Sequence, residues 1–90
     1  MPGEGQRGAE LPDRAAAVAR FAATARACRK AKRLTQEDVS YRSGLHVAEV
    51  SRLERGLRDP QLWTIVRLAR GLGVEPSELL RELRGGVGQR

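Results

Sequence analysis

The stretch LTQEDVSYRSGLHVAEVSRLERG, residues 34–56, decides how this chain folds. Thr35 is followed three residues later by Asp38. At that spacing a cap hydroxyl and a carboxylate satisfy each other's backbone N–H groups at a helix start. Glu37 and Asp38 also sit where the positive end of the helix dipole favours acids. The helix that starts there ends before Gly44, a residue free to take the left-handed conformation of a tight turn. Another helix is expected from about Val47 to Arg55, with His46 near its cap and Gly56 as its stop. Only Gly44, Leu45 and His46 separate the two. A joint that short makes the helices cross steeply. Val39 and Leu45 then meet Val50 and Leu53 in a shared core, and the small Ser40 permits the close approach.

The flanking sequence supplies three more helices. The first runs from about Asp13, a cap residue, to about Lys32, with Val18, Phe21, Ala22, Ala25 and Cys28 as its inner stripe. The fourth opens at Asp59-Pro60, a cap followed by proline at the first helical position, and continues to Gly71. Its apolar face is Leu62, Ile65, Val66, Ala69 and Leu72. The fifth opens at Pro76 and carries Leu79, Leu80 and Leu83. The expected fold is therefore all-α, with five helices in one domain over residues 13–84. Residues 1–12, with Pro2, Gly3, Gly5, Gly8 and Pro12, read as a flexible leader, and residues 85–90 as a flexible tail.

Composition agrees. Among 90 residues there are 12 Ala and 11 Leu but a single Ile and 3% aromatics, which favours helices over a sheet. Lys and Arg number 17 against 11 acids, for a net charge of +6. Residues 14–34 carry Arg14, Arg20, Arg26, Arg29, Lys30, Lys32 and Arg33 without one acid. Such an excess points to a polyanionic partner, with a solvated surface as the alternative. The longest apolar run, Ala15 to Ala19, is far below the ~20 residues that span a bilayer. The N-terminus lacks the apolar stretch of a signal peptide. One cysteine and one histidine exclude a disulfide framework and an ordinary zinc site. With no nucleophile–base pair and no glycine-rich phosphate loop, neither an enzyme nor a cofactor is expected. The chain reads as soluble, cytoplasmic and nucleoid-associated, with no membrane partner and no evident small-molecule site.

Residues from about 28 to 80 resemble the phage-repressor-like (lambda-repressor/Cro) helix-turn-helix family of DNA-binding regulators. The resemblance is carried by Leu34-Thr35-Gln36-Glu37, Gly44-Leu45, Val50-Ser51-Arg52-Leu53-Glu54-Arg55-Gly56, Pro60, Leu68-Ala69, Leu72-Gly73-Val74 and Leu79-Leu80, in order and without gaps. It implies a compact five-helix lambda-repressor-like domain with the helix-turn-helix at helices two and three. It also implies a sequence-specific transcriptional regulator that binds double-stranded DNA at a palindromic operator as a homodimer. A minimal repressor, a restriction–modification controller and an antitoxin all fit that description. The alternative is an antitoxin or adaptor whose main work is a protein–protein contact, with weak DNA binding.

The resemblance also assigns roles. Base reading falls to Val47, Ala48 and Arg52, with Ser51 on the same outward face. Arg52 can donate two hydrogen bonds to guanine O6 and N7, or merely pair with Glu49 at i,i+3. Glu49 can accept from cytosine N4 or remain solvated or paired with arginine. Val47 and Ala48 can meet only thymine methyls, a departure from the polar residues usual in the family. Thr35, Gln36, Arg55, Arg58 and Arg29 are the candidate phosphate contacts, Gln36 because amide, free N–H groups and dipole converge at a helix start. Arg29 and Glu54 fall where the family pairs an arginine with a glutamate, bracing the third helix against the first. Trp63, Leu79, Leu80 and Leu83 are the candidate dimer interface, with a cation–π contact to Arg67 as the local alternative for Trp63. Tyr41 either reaches a phosphate or covers the core. His46 is expected as a cap or surface residue and Cys28 as a small core residue.

Overall fold

The first helix, α1, spans Arg14–Ala31 and is capped by Asp13, whose carboxylate accepts the Ala16 N–H at 2.8 Å. The computed structural model describes residues 13–83, so the leader at 1–12 and the tail at 85–90 lie outside the described residues. Four further helices follow: α2 Gln36–Ser43, α3 Val47–Glu54, α4 Leu62–Leu72 and α5 Pro76–Leu80, the last running into a 3-10 turn at Arg81–Leu83. Among the described residues there is no strand, as the sequence led one to expect.

Every helix gives side chains to one core. Phe21 and Ala25 come from α1, Val39 from α2, Val50 and Leu53 from α3, Leu68, Ala69 and Leu72 from α4, and Leu79 from α5. Fully burying one such large side chain stabilises the fold by about 1.5–3 kcal/mol, so no helix is dispensable. Leu45 packs against the cluster from the joint, as its spacing implies, and Cys28 does so from α1.

The tightest approach is α2 on α4. A Cβ built at Gly71 would stand 2.8 Å from the Ser43 Cβ and 3.0 Å from the Val39 carbonyl oxygen, so only glycine fits. Across the same seam Arg67 donates from Nε to the Ser43 carbonyl at 3.2 Å and from NH2 to the Gly44 carbonyl at 3.3 Å. These bonds take up carbonyls that the end of α2 would otherwise leave open. Gly44 itself has φ of 79°, the left-handed conformation the joint requires. The Ser40 hydroxyl donates to the Leu45 carbonyl, and the Leu45 N–H donates to the Ser43 hydroxyl at 3.0 Å, pinning the joint from inside. A second tie joins the ends of α1 and α4, where Lys32 Nζ donates to the Gly73 carbonyl at 2.9 Å.

Three expectations are corrected. Helix α4 begins at Leu62 with Gln61 as its cap residue, not at Asp59-Pro60. Asp59 is diverted to Arg14, whose Nε lies 2.9 Å from Oδ2. Pro60 instead lines a small apolar pocket with Ala17, Val18, Phe21, Ile65, Leu80 and Leu83. With the late start, Leu62 faces solvent at 74% exposure and Leu68 takes the core position. Leu79, expected at a dimer interface, is 0% exposed and belongs wholly to the domain's own core.

The α2 start works as its spacing implies. Asp38 Oδ2 accepts the Thr35 N–H at 2.8 Å, and the Thr35 hydroxyl accepts the Asp38 N–H at 2.9 Å. The bonds from Thr35 hold the Asp38 carboxyl below its ordinary value. A depressed folded-state pKa gives stability that is fully present above the unfolded value, ~3.9, and is lost as pH falls through the folded value. Acid unfolding should therefore draw on Asp38 only below about pH 4, and Asp38→Asn should flatten the stability–pH curve in that window while leaving its shape near neutrality unchanged. Urea titrations from pH 2 to 7 measure it.

Gly71→Ala tests the seam. Alanine gains about 1 kcal/mol of helix propensity, against about 1–3 kcal/mol for forcing a methyl into a filled space. Since backbone atoms line the space, the clash should win and the melting temperature should fall. A rise would show that α2 can retreat.

Candidate nucleic-acid interface

The site is assembled around a buried ion pair. Arg29, late in α1, meets Glu54, the last residue of α3. Nε donates to Oε2 at 2.7 Å and NH2 to Oε1 at 2.9 Å, a two-pronged contact matched to the carboxylate plane. The Glu54 side chain is 2% exposed and that of Arg29 12%. Arg29 NH1 donates to the Leu34 carbonyl at 2.9 Å, and Gln36 Nε2 donates to Glu54 Oε1 at 3.1 Å. The hydrogen bond to Glu54 leads in raising the Arg29 pKa, with the carboxylate's charge assisting and burial opposing. Three helices thus meet at one carboxylate, and the α1–α2 turn holds its arginine partner. A guanidinium has five N–H groups, so two on Arg29 remain after these bonds.

Beside the pair lies a cleft of about 400 Å³ lined by Arg26, Arg29, Gln36, Ser51, Glu54 and Arg55. Its carboxylate is already paired, so its rim presents cations and donors. Arg55 Nε donates to the Ser51 hydroxyl at 3.2 Å, which groups Ser51 with the cleft as well as with the outward face of α3. Thr35 caps α2 through its backbone and hydroxyl, and Gln36 follows as the first helical residue, its amide turned to Glu54. Arg26 escaped the sequence reading as a site residue. The signal was there: it stands three residues before Arg29, on the same face of α1.

On the outward face of α3, Val47 and Ala48 are exposed, and Ser51 and Arg52 half-exposed. Val50, Leu53 and Glu54 face in. Arg52 NH1 lies 3.7 Å from Glu49 Oε1, and Arg58 Nε reaches the same oxygen at 3.7 Å. His46 occupies the cap position of α3 without a side-chain cap bond. Tyr41 is 91% exposed and covers none of the core, which removes one of its two expected roles. Trp63 is 61% exposed, while the Arg67 guanidinium expected beneath it is committed to the end of α2.

Among the described residues no group of three His, Cys, Asp or Glu side chains is placed to hold a metal ion, and no helix is long and apolar enough to cross a membrane. The helix-turn-helix domain family matches the chain over residues 20–83. The chain belongs to that family. The HTH-type transcriptional regulator y4dL of Sinorhizobium fredii is 38% identical over 63 residues, covering 66% of this chain and 32% of the relative. The regulator y4dJ of the same organism is 48% identical over 52 residues, covering 58% of this chain and 68% of the relative. The crystal structure of the restriction-modification controller protein C.AhdI from Aeromonas hydrophila aligns with a TM-score of 0.66 at 40% identity, covering 69% of this chain and 94% of that one. The match thus spans about a third of the length of the first regulator. The resemblance to the phage-repressor-like helix-turn-helix proteins holds in both sequence and fold.

The buried pair generates a test on this helix-turn-helix domain. Arg29→Ala or Glu54→Ala strands a charge and should each cost about 3 kcal/mol, short of the extreme because Arg29 keeps some contact with water. The double variant should lose less than the two losses combined, by more than about 1 kcal/mol. Additive losses in urea titrations would mean that the two side chains are independent.

Proposed function

We propose that the protein is a sequence-specific transcriptional regulator that binds double-stranded DNA, with α3 in the major groove. The supporting observation is the outward face of α3, with the paired Arg29–Glu54–Gln36 network at its foot and Arg26 and Arg55 on the cleft rim. In this reading the α2 start and the cleft seat the phosphate backbone, through Thr35, Gln36, Arg29 and Arg55, with Arg26 added and Arg58 on the α3 flank. Arg52 reads guanine, and Val47 and Ala48 contact thymine methyls, with Ser51 beside them. The regulators and the controller protein it resembles support the same reading. Cytoplasmic, nucleoid-associated work follows from it.

The domain acts as a homodimer on a palindromic operator in this proposal, with recognition helices about 34 Å apart. Leu62 and Trp63, adjacent and exposed at the start of α4, supply apolar surface for the contact. Leu80 and Leu83, half-buried in the pocket beside Pro60, remain candidates for it. Leu79, inside the core, has no part in it. The second reading, a protein-binding antitoxin or adaptor, draws on the same exposed tryptophan and on the apolar pair Val47 and Ala48.

Selection of bound sequences from random duplex DNA separates the two. A regulator recovers a consensus, and one with two-fold symmetry for a dimer. An adaptor recovers none. Arg52→Ala should cost about 1–3 kcal/mol and relax preference at one base pair per half-site, whereas Arg55→Ala should weaken all sequences alike. The log–log salt slope should be about −3 for a monomer contacting three or four phosphates, and about twice that for a dimer.

A further inference from the structure

Helix α3 holds two acids. Glu54 is spent on Arg29. Glu49, its side chain 28% exposed, lies at the border of the outward face of α3, one turn before Arg52, where a phosphate approached by Arg52 or Arg58 repels its carboxylate. Its Oε1 serves two arginines at once, Arg52 NH1 and Arg58 Nε, each at 3.7 Å. That separation is beyond an N–H···O hydrogen bond, so attraction keeps both guanidinium groups near without locking either. Arg52 is the candidate guanine reader and Arg58 a candidate phosphate contact. One acid therefore neutralises a base-reading cation and a backbone-binding cation together.

We propose that Glu49 sets sequence discrimination by holding Arg52 and Arg58 in check: with five N–H groups, Arg52 meets a guanine through two of them while still facing Glu49, whereas either arginine must leave the carboxylate to reach a phosphate. The inference rests on the reading of α3 as the recognition helix. Phosphate attraction is the same for every sequence and supplies non-specific binding. Two loosely paired arginines contribute less of it, and the carboxylate adds repulsion. An exposed ion pair is weak, comparable with one solvent-screened phosphate contact and weaker than a bidentate contact to guanine. Glu49 thus lowers affinity for any duplex, but least for a matched site, where Arg52 reads guanine without giving up its pair. Because the restraint is electrostatic and half-exposed, rising salt weakens it along with the phosphate contacts it opposes.

Glu49→Gln keeps the shape and removes the charge. Binding is measured to the duplex recovered by selection and to random-sequence duplex, each over a range of salt. Random-duplex affinity should rise about threefold to tenfold, with a salt slope steeper by about one unit. Affinity for the selected duplex should rise less, so the ratio between the two falls. Unchanged random-duplex affinity and slope overturn the proposal. So does a ratio that falls solely through weaker binding to the selected duplex, which makes Glu49 a direct reader of a base. If the unaltered protein shows no preference among duplexes, the recognition reading itself fails, and this inference with it.

Discussion

One carboxylate, that of Glu54, fixes the geometry on which the rest of the surface depends. It closes α3 against α1 through Arg29 and reaches α2 through Gln36. A charge this deeply buried is costly to desolvate, and its attraction to a single partner offsets that cost only with good geometry and satisfied lone pairs. Here both oxygens accept short bonds and a third donor is supplied, so the condition is met. Apolar packing alone would hold α3 in place, since Val50 and Leu53 are fully buried. What the pair adds is direction. It leaves α3 one way to rotate, and it stands two spare N–H groups of Arg29 beside the cleft that Gln36 and Arg55 line.

The second constraint is smallness. A domain of this size buries only about 60–65% of its unfolded surface, so its core is thin and its helix ends matter. The chain closes those ends with long cations. Arg67 satisfies the end of α2, and Lys32 that of α4. Each also ties two helices together, so a local need is met by a tertiary contact. Arg33 shows the opposite economy. It takes a left-handed φ of 60° where α1 turns into α2, a conformation glycine adopts without strain. The turn is closed by the Leu34 N–H bonded at 3.1 Å to the carbonyl of Arg29, the same residue whose side chain grips Glu54.

The helix-turn-helix was legible because its signals are local. The Thr35–Asp38 spacing, Gly44 and Gly56 fix helix ends without knowledge of the rest of the fold. The inward set of α3 followed from a period of 3.6 residues. The Arg29–Glu54 contact was legible only through the family resemblance, since nothing local links positions 25 residues apart. The misreadings share a cause. Asp59-Pro60 has the chemistry of a helix start, but Arg14 draws off the carboxylate and the apolar pocket holds the proline. Leu62 and Leu68 then exchange roles relative to the simple stripe. Leu79 appeared surplus because the sequence does not tell how much core α4 and α1 leave open. The capping roles of Arg67 and Lys32 depend on which helix ends come near, which is tertiary information.

In the proposed function the buried pair serves to aim the groups that line the cleft more than to stabilise the fold. Replacing both partners with apolar residues of similar size, Arg29→Met with Glu54→Leu, separates those roles, since such exchanges are often neutral or stabilising. The deciding measurement is the affinity of this double variant for the duplex recovered by selection, with its stability checked by urea titration. The account expects stability within about 1 kcal/mol of the unaltered protein, with an affinity loss of about tenfold or more from the missing charge-assisted contacts. A variant that folds as well and binds the duplex as tightly would contradict it.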